Sequence, residues 1–141
     1  MPLVAGLFVL VEGLQRTGGI DWLAHAMRML SLHSASHEGW LSGMLVALAS
    51  NLINNLPAGL IAGYTVAAAH APTQVLNAIL VGIDLGPNLS VTGSLATILW
   101  LTALRGEGID VRALEFLKLG GVVMLPALLA ALAALPLTGA A

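Results

Sequence analysis

Cysteine is absent from the 141 residues. Its absence removes disulfides, thiolate metal sites and cysteine nucleophiles, and says nothing about compartment. Charge is scarce as well: 9% of the chain is Asp, Glu, Lys or Arg, where a soluble domain carries about 25%. With 58% hydrophobic residues and a mean hydropathy of +0.95, the composition is that of a membrane protein. The formal net charge of -2 points to no nucleic-acid partner. Met1-Pro2 leads straight into LVAGLFVLV, without the basic n-region and small-residue cleavage site of a signal peptide. No His-Glu zinc motif or nucleophile elbow occurs, so the chain does not read as an enzyme, and no cofactor is implied.

What is present is polarity in the wrong place for a simple span. VGIDLGPNLSVTGSLATILWL, residues 81–101, sets an acid, a Gly-Pro-Asn turn and a run of hydroxyls between two apolar arms. Those arms, 75–83 and 95–104, are each shorter than the roughly 20 residues needed to cross a bilayer. Together with the polar middle they are long enough, which puts the middle deep in the membrane. Backbone that leaves a helix there loses hydrogen bonds that lipid cannot replace. It persists only where protein buries it or where it lines a wet cavity, and a charge beside such a break is by default a functional residue.

A second break lies upstream, in Ser50-Asn51-Leu52-Ile53-Asn54-Asn55-Leu56-Pro57. Pro57 removes a backbone donor and turns Leu56 away from helix. The arms, 41–49 and 58–69, are again short. Two geometries fit: a broken helix that crosses, or two half-helices meeting at a tip and returning to one side. Basic residues fall on two connectors, Arg16 with Arg28 and Arg105 with Arg112 and Lys118. Those connectors share a side only if 40–70 crosses, which mildly favours crossing.

The remaining segments read as follows. Residues 2–16 form an apolar helix, with Glu12 near enough to its end to reach headgroups. Gly18-Gly19 breaks it. Asp21 is placed to cap a helix starting at Trp22, and the stretch 20–37 reads as a helix lying on the membrane surface. His33 and His37 are four apart, but no convincing further ligand surrounds them, so a solvated connector is the better reading than a metal site. Gly59, Ala62, Gly63 and Ala67 suit close helix contact. A last helix covers 113–136, with Pro126 inside it and Gly120-Gly121 suited to packing.

Paired discontinuous helices facing one another are a recurring transporter site, offering partial charges of both signs at half-helix ends. On that reading the lining is Asn51, Asn54 and Asn55 from one break and Asp84, Asn88, Ser90, Thr92 and Ser94 from the other, with Gly86 and Gly93 giving backbone freedom. The bland alternative is a non-transporting membrane scaffold, its asparagines satisfying their own backbone.

SNLINNLP followed by GIDLGPNLSVTGSLATILWL resembles the C-terminal half of the arsenite efflux permeases, the arsenical pump membrane proteins of the ion transporter superfamily. PLVAGLFVLVEGLQRTG is similar to the helix that precedes this hairpin in that family. The resemblance implies an all-α membrane protein and the second of two inverted repeats, with a re-entrant helical hairpin over 41–69 and an interrupted transmembrane helix over 73–104. It implies an elevator-like, proton-driven efflux of arsenite or antimonite across the cell inner membrane by a multi-pass protein. It also implies partners: the missing N-terminal half from the same gene or another chain, a second copy in a homodimer, and a soluble arsenite-stimulated ATPase. The short opening apolar run gives the same expectation of a C-terminal fragment. Within the superfamily a sodium/proton antiporter, suited by Asp84, or a citrate/dicarboxylate-type anion carrier stands as the alternative. A carboxylate substrate would want an Arg or Lys in the site, and none lies near either break.

Overall fold

A computed structural model describes residues 2–31 and 35–138. Among them the chain forms seven α-helices and no strand: α1 (Pro2–Arg16), α2 (Gly19–Ser31), α3 (Ala35–Ile53), α4 (Asn55–Ala69), α5 (Thr73–Leu85), α6 (Leu95–Gly106) and α7 (Ala113–Ala134). Short 3-10 turns follow α5 at Gly86–Leu89 and α7 at Leu135–Thr138. Among the described residues one helix is long and apolar enough by itself to cross a membrane, Ala113–Leu137.

The architecture is built on the pairing of α3 with α5. Gly39, Gly43, Ala47 and Asn51 recur every four residues along one face of α3, and Gln74, Ala78, Gly82 and Gly86 do so along α5. Four-residue spacing keeps small residues in one row of a helix, so two backbones can approach closely. A Cβ placed at Gly43 would lie 2.8 Å from the Ala78 carbonyl oxygen, and one at Gly82 would strike the Gly43 carbonyl. Gly86 is seated in the same way against Ala47. Gly39 meets Gln74 and Ala78, while Ala47 meets Gly82 and Gly86, so α3 and α5 run in the same direction.

Between them the chain must return, and α4 makes that return. Its Gly59 touches Ile83, and its Ala62 and Val66 form a buried cluster with Val75 and Ile79. The order along α4 thus runs opposite to that along α5, and therefore opposite to α3. The turn is one residue long. Asn54, at φ 75° and ψ 153°, lies outside both helices. At the far end His70, in the left-handed region, closes α4, and Pro72 starts α5.

α7 runs back across this layer. Gly120 lies against the Asn88 and Leu89 carbonyls, and Met124, Leu128 and Leu132 bury themselves with Ala47 and Ala78. α6 follows the break and, apart from buried Leu101, stands largely uncovered. Its contacts with other elements are slight, and Leu99 and Trp100 are 61% and 55% exposed.

α2 differs from its sequence reading. It starts at Gly19 rather than Trp22, so Asp21 lies in its first turn instead of capping it. The physical reason is Gly18, whose φ of +76° turns the chain directly into helix. The segment 20–37 is not one continuous surface element among the described residues, because Ala35 already opens α3. Ile20 and Ala24 are buried, and Leu23, Ala26 and Met27 line an apolar cleft of about 250 Å³ shared with α3 and α4. Trp22 stays 69% exposed. His33, and the side chain of His37, lie outside the described residues. Among those that are described, no group of three His, Asp or Glu is gathered as a metal site.

Candidate functional site

The α3–α4 turn and the α5–α6 break lie against each other, joined by five hydrogen bonds that cross between them. Asn51 is at the centre. Its amide nitrogen donates to the Ala47 carbonyl on its own helix at 2.8 Å and to the Gly86 carbonyl across the junction at 2.7 Å. Its side-chain oxygen accepts from the Ser90 hydroxyl at 2.8 Å, and its backbone carbonyl accepts from the Thr92 hydroxyl at 3.1 Å. Both hydroxyl hydrogens are thereby used, and the 3.3 Å between Ser90 Oγ and Thr92 Oγ1 is a close approach between two acceptors. Each such neutral bond contributes about 1 kcal/mol net, and leaving one buried partner unmet costs more than that.

The tip itself is tied to the loop. The Asn55 backbone N–H donates to the Gly93 carbonyl at 2.9 Å, and the Asn54 amide donates to the Thr92 carbonyl at 3.3 Å. Gly93 cannot carry a side chain here, since a Cβ would run into Pro87 and would stand 2.9 Å from Asn51 Oδ1. Gly86 and Gly93 thus serve close approach, at negative φ, rather than a left-handed turn.

Helix ends decide what remains available. At the start of α4, Asn55 N–H goes to Gly93, Leu56 N–H to the Asn54 side-chain oxygen and Ala58 N–H to the Asn54 carbonyl. Pro57 has no donor. None of the orphan amides that usually open a helix is left. At the start of α6, Ser94 Oγ accepts from Ala96 N–H at 3.2 Å. At the end of α5, the Asn88 amide donates to the Asp84 and Leu85 carbonyls at 3.2 and 3.1 Å.

The ten sequence-predicted residues therefore fall in one place along the fold but divide by bonding. Asn51, Asn54, Ser90 and Thr92 spend their polar atoms on each other's segments. The Asn55 side chain and the Asp84 carboxylate have no hydrogen bond or ion pair among the described residues, and Asn88 keeps its side-chain oxygen. Asp84 and Asn88 are exposed, Asn55 half-buried. Sequence reasoning missed the contribution of α7. Gly120 lets that helix close over the break, 2.7 Å and 2.8 Å from the Asn88 and Leu89 carbonyls to where its Cβ would be. Its signal was the Gly120-Gly121 pair, which the sequence marks for packing without naming the partner.

A family model described as arsenical pump membrane protein matches residues 2–138. Curated relatives named arsenical pump membrane protein from Escherichia coli and Yersinia enterocolitica are 32% and 30% identical over 136 residues. A Bacillus subtilis relative, a putative arsenical pump membrane protein, is 28% identical over 116 residues, covering 79% of this chain and 26% of its own length. The first two alignments cover 94% of this chain and 32% of each relative, so the chain spans about a third of their length. No solved structure matches.

Proposed function

The chain belongs to the family of arsenical pump membrane proteins, and from that premise we propose that it supplies one half of the solute path of a secondary carrier, not an enzyme, that exports arsenite or antimonite. The observation that carries the reading is the meeting of two helix breaks through hydrogen bonds, beside an acid and amides that keep free polar atoms.

The chemistry of the junction suits a neutral, hydroxyl-bearing solute. Arsenous acid is largely uncharged at physiological pH and both gives and takes hydrogen bonds, which amide and carboxylate groups match. An anion finds no basic side chain among the ten site residues, and of the amides that open the two helices only those of Leu95 and Thr97, at the start of α6, lack a partner among the described residues. The α4 amides are all engaged, and two helix C-termini meet two N-termini, so their partial charges offset. Asp84 is the one full charge among the ten site residues. This weighs against the carboxylate-carrier alternative.

In this reading α3 and α4 form a re-entrant hairpin, α5 and α6 an interrupted transmembrane helix, and α7 a full span, all in the multi-pass inner-membrane domain of the carrier. The other inverted repeat, from the rest of the polypeptide or a partner chain, faces the junction and completes it. α6, nearly uncovered here, lies within reach of that repeat. Elevator-like movement coupled to protons, with Asp84 as the proton-carrying group, a homodimeric assembly and a soluble arsenite-stimulated ATPase as partner belong to the same proposal.

The test is arsenite uptake into everted vesicles from a sensitive host expressing the full-length gene. The native carrier should accumulate arsenite, and at low arsenite that accumulation should fall severalfold on Asp84→Asn or Asn55→Ala at equal membrane levels. Sodium- or citrate-dependent flux with no arsenite accumulation would replace the substrate, and full activity of both variants would remove the site.

A further inference from the structure

The ten polar and glycine residues at the junction do not share one task. Resting on the carrier reading above, we infer that Asn51 is a positioning residue: with Ser90 and Thr92 it clasps the two breaks together, and solute contact is left to Asn55, Asp84 and Asn88.

Hydrogen-bond capacity separates the two groups. Asn51 has two amide hydrogens, and the Ala47 and Gly86 carbonyls take both at 2.8 and 2.7 Å. Its side-chain oxygen holds the Ser90 hydroxyl, and its carbonyl holds that of Thr92. A solute reaching this residue would have to displace bonds made at close to ideal length. Gly86 and Gly93 fix the arrangement from the other side, because a side chain at either would meet Ala47 or Pro87. Asn55 differs in kind. Its backbone N–H is part of the clasp, while its side-chain amide, the Asp84 carboxylate and Asn88 Oδ1 are unbonded. Three groups with spare capacity, on the two segments that the clasp holds in register, are what a small hydroxylated solute needs.

The division has an opposite signature in two measurements on the full-length carrier. The first is the rate at which a water-soluble maleimide modifies Val91→Cys, a probe between Ser90 and Thr92. This chain contributes no native thiol to compete with it. The second is the arsenite concentration giving half-maximal uptake in vesicles. Ser90→Ala removes one clasp bond, which should raise opening, and with it labelling, about fivefold. The assembled form still dominates, so the half-saturating concentration should stay within twofold. Ser90→Thr, which keeps the donor, should restore native labelling. Asn51→Ala removes three bonds and should raise labelling and half-saturating arsenite together. Asn55→Ala should raise half-saturating arsenite about tenfold and leave labelling native.

If Ser90→Ala shifts half-saturation as Asn55→Ala does while labelling stays native, Ser90 faces the solute and the division is wrong. If Asn55→Ala raises labelling, Asn55 belongs to the clasp and the division is equally wrong. Should the native carrier move no arsenite at all, the carrier reading fails on its own. The labelling arm still decides the clasp, because it needs no substrate.

Discussion

Asn54 offers the sharpest check on the hairpin turn, because glycine and alanine should act in opposite senses there. Its φ of 75° and ψ of 153° lie where residues with a Cβ are rare, at a cost of about 1–3 kcal/mol. Against that, the side chain caps α4 through Leu56 N–H at 3.3 Å and reaches the Thr92 carbonyl at 3.3 Å. Losing an asparagine cap to alanine costs about 1 kcal/mol, and the second, long bond contributes about 0.5–1 kcal/mol. Asn54→Ala forfeits both and keeps the Cβ strain, so it should destabilise the turn by about 2 kcal/mol. Asn54→Gly forfeits the same two bonds but sheds the strain, and should come out within about 1 kcal/mol of the native chain. For 141 residues an entropy of about 2.1 cal/mol/K per residue converts the alanine loss to a fall in Tm of about 7 °C. The glycine variant should melt above the alanine variant by most of that interval. Thermal melts of the three proteins in one detergent decide it. In an ordinary helix glycine is the worse of the two. Finding that order here would show that residue 54 has normal negative φ and that the turn is differently built.

Further expectations follow from the contacts. Gly82→Ala pushes a methyl into the Gly43 carbonyl and should cost about 1–3 kcal/mol. Gly63→Ala has nothing within 4 Å and should be neutral or stabilise by up to about 1 kcal/mol. Parallel melts of the two should separate them, and equal effects would deny the α3–α5 seam. Arg105→Ala breaks an ion pair to Asp110 at 3.2 Å whose side chains are 67% and 70% exposed. Such pairs contribute about 0–1 kcal/mol, so its Tm should stay within the scatter of repeated melts.

The two breaks were legible because glycine, proline and asparagine are costly inside lipid and so conspicuous in an apolar chain. That Asn51, Asn54, Ser90 and Thr92 would bond to one another was not legible. Side-chain pairing across 35 to 41 residues leaves no local pattern. The small-residue row read on α4 is only partly used, through Ala62 against Val75 and Ile79. Gly59 and Gly63 invite close packing, yet Gly59 makes ordinary contact with Ile83 and Gly63 none. The rows that do the packing are Gly39-Gly43-Ala47 and Ala78-Gly82-Gly86, whose four-residue spacing was there to be counted. The start of α2 was misread because aspartate is a strong cap signal, and a glycine at positive φ three residues earlier did the work instead.

With α7 as a ruler the junction has a depth. Ala113–Leu137 covers 25 residues, about 37 Å at about 1.5 Å per residue, enough for a hydrocarbon layer of about 30 Å. Gly120 marks the level of the break. It lies about 10 Å from the Ala113 end and about 25 Å from the Leu137 end. The length of α5 fits the proposed placement. α5, with 13 residues, is about 20 Å long and reaches from the break nearly to the far face. As the second arm of the proposed interrupted helix, α6 would leave the break toward the near face. Trp100, five residues along it, stands about 8 Å on, where indoles favour the headgroup level. Arg105, Glu107 and Asp110 then fall outside the hydrocarbon, as charged residues should. The proposed hairpin would therefore enter from the face bearing His70 and Pro72 and stop about 10 Å short of the other. Water has the shorter way in from the Arg105 side. In oriented vesicles carrying the full-length protein, an impermeant maleimide should modify Asn88→Cys at least tenfold faster from the side of Arg105 than from that of Pro72. Faster modification from the Pro72 side would put the break at the wrong depth and undo the membrane placement of all four helices.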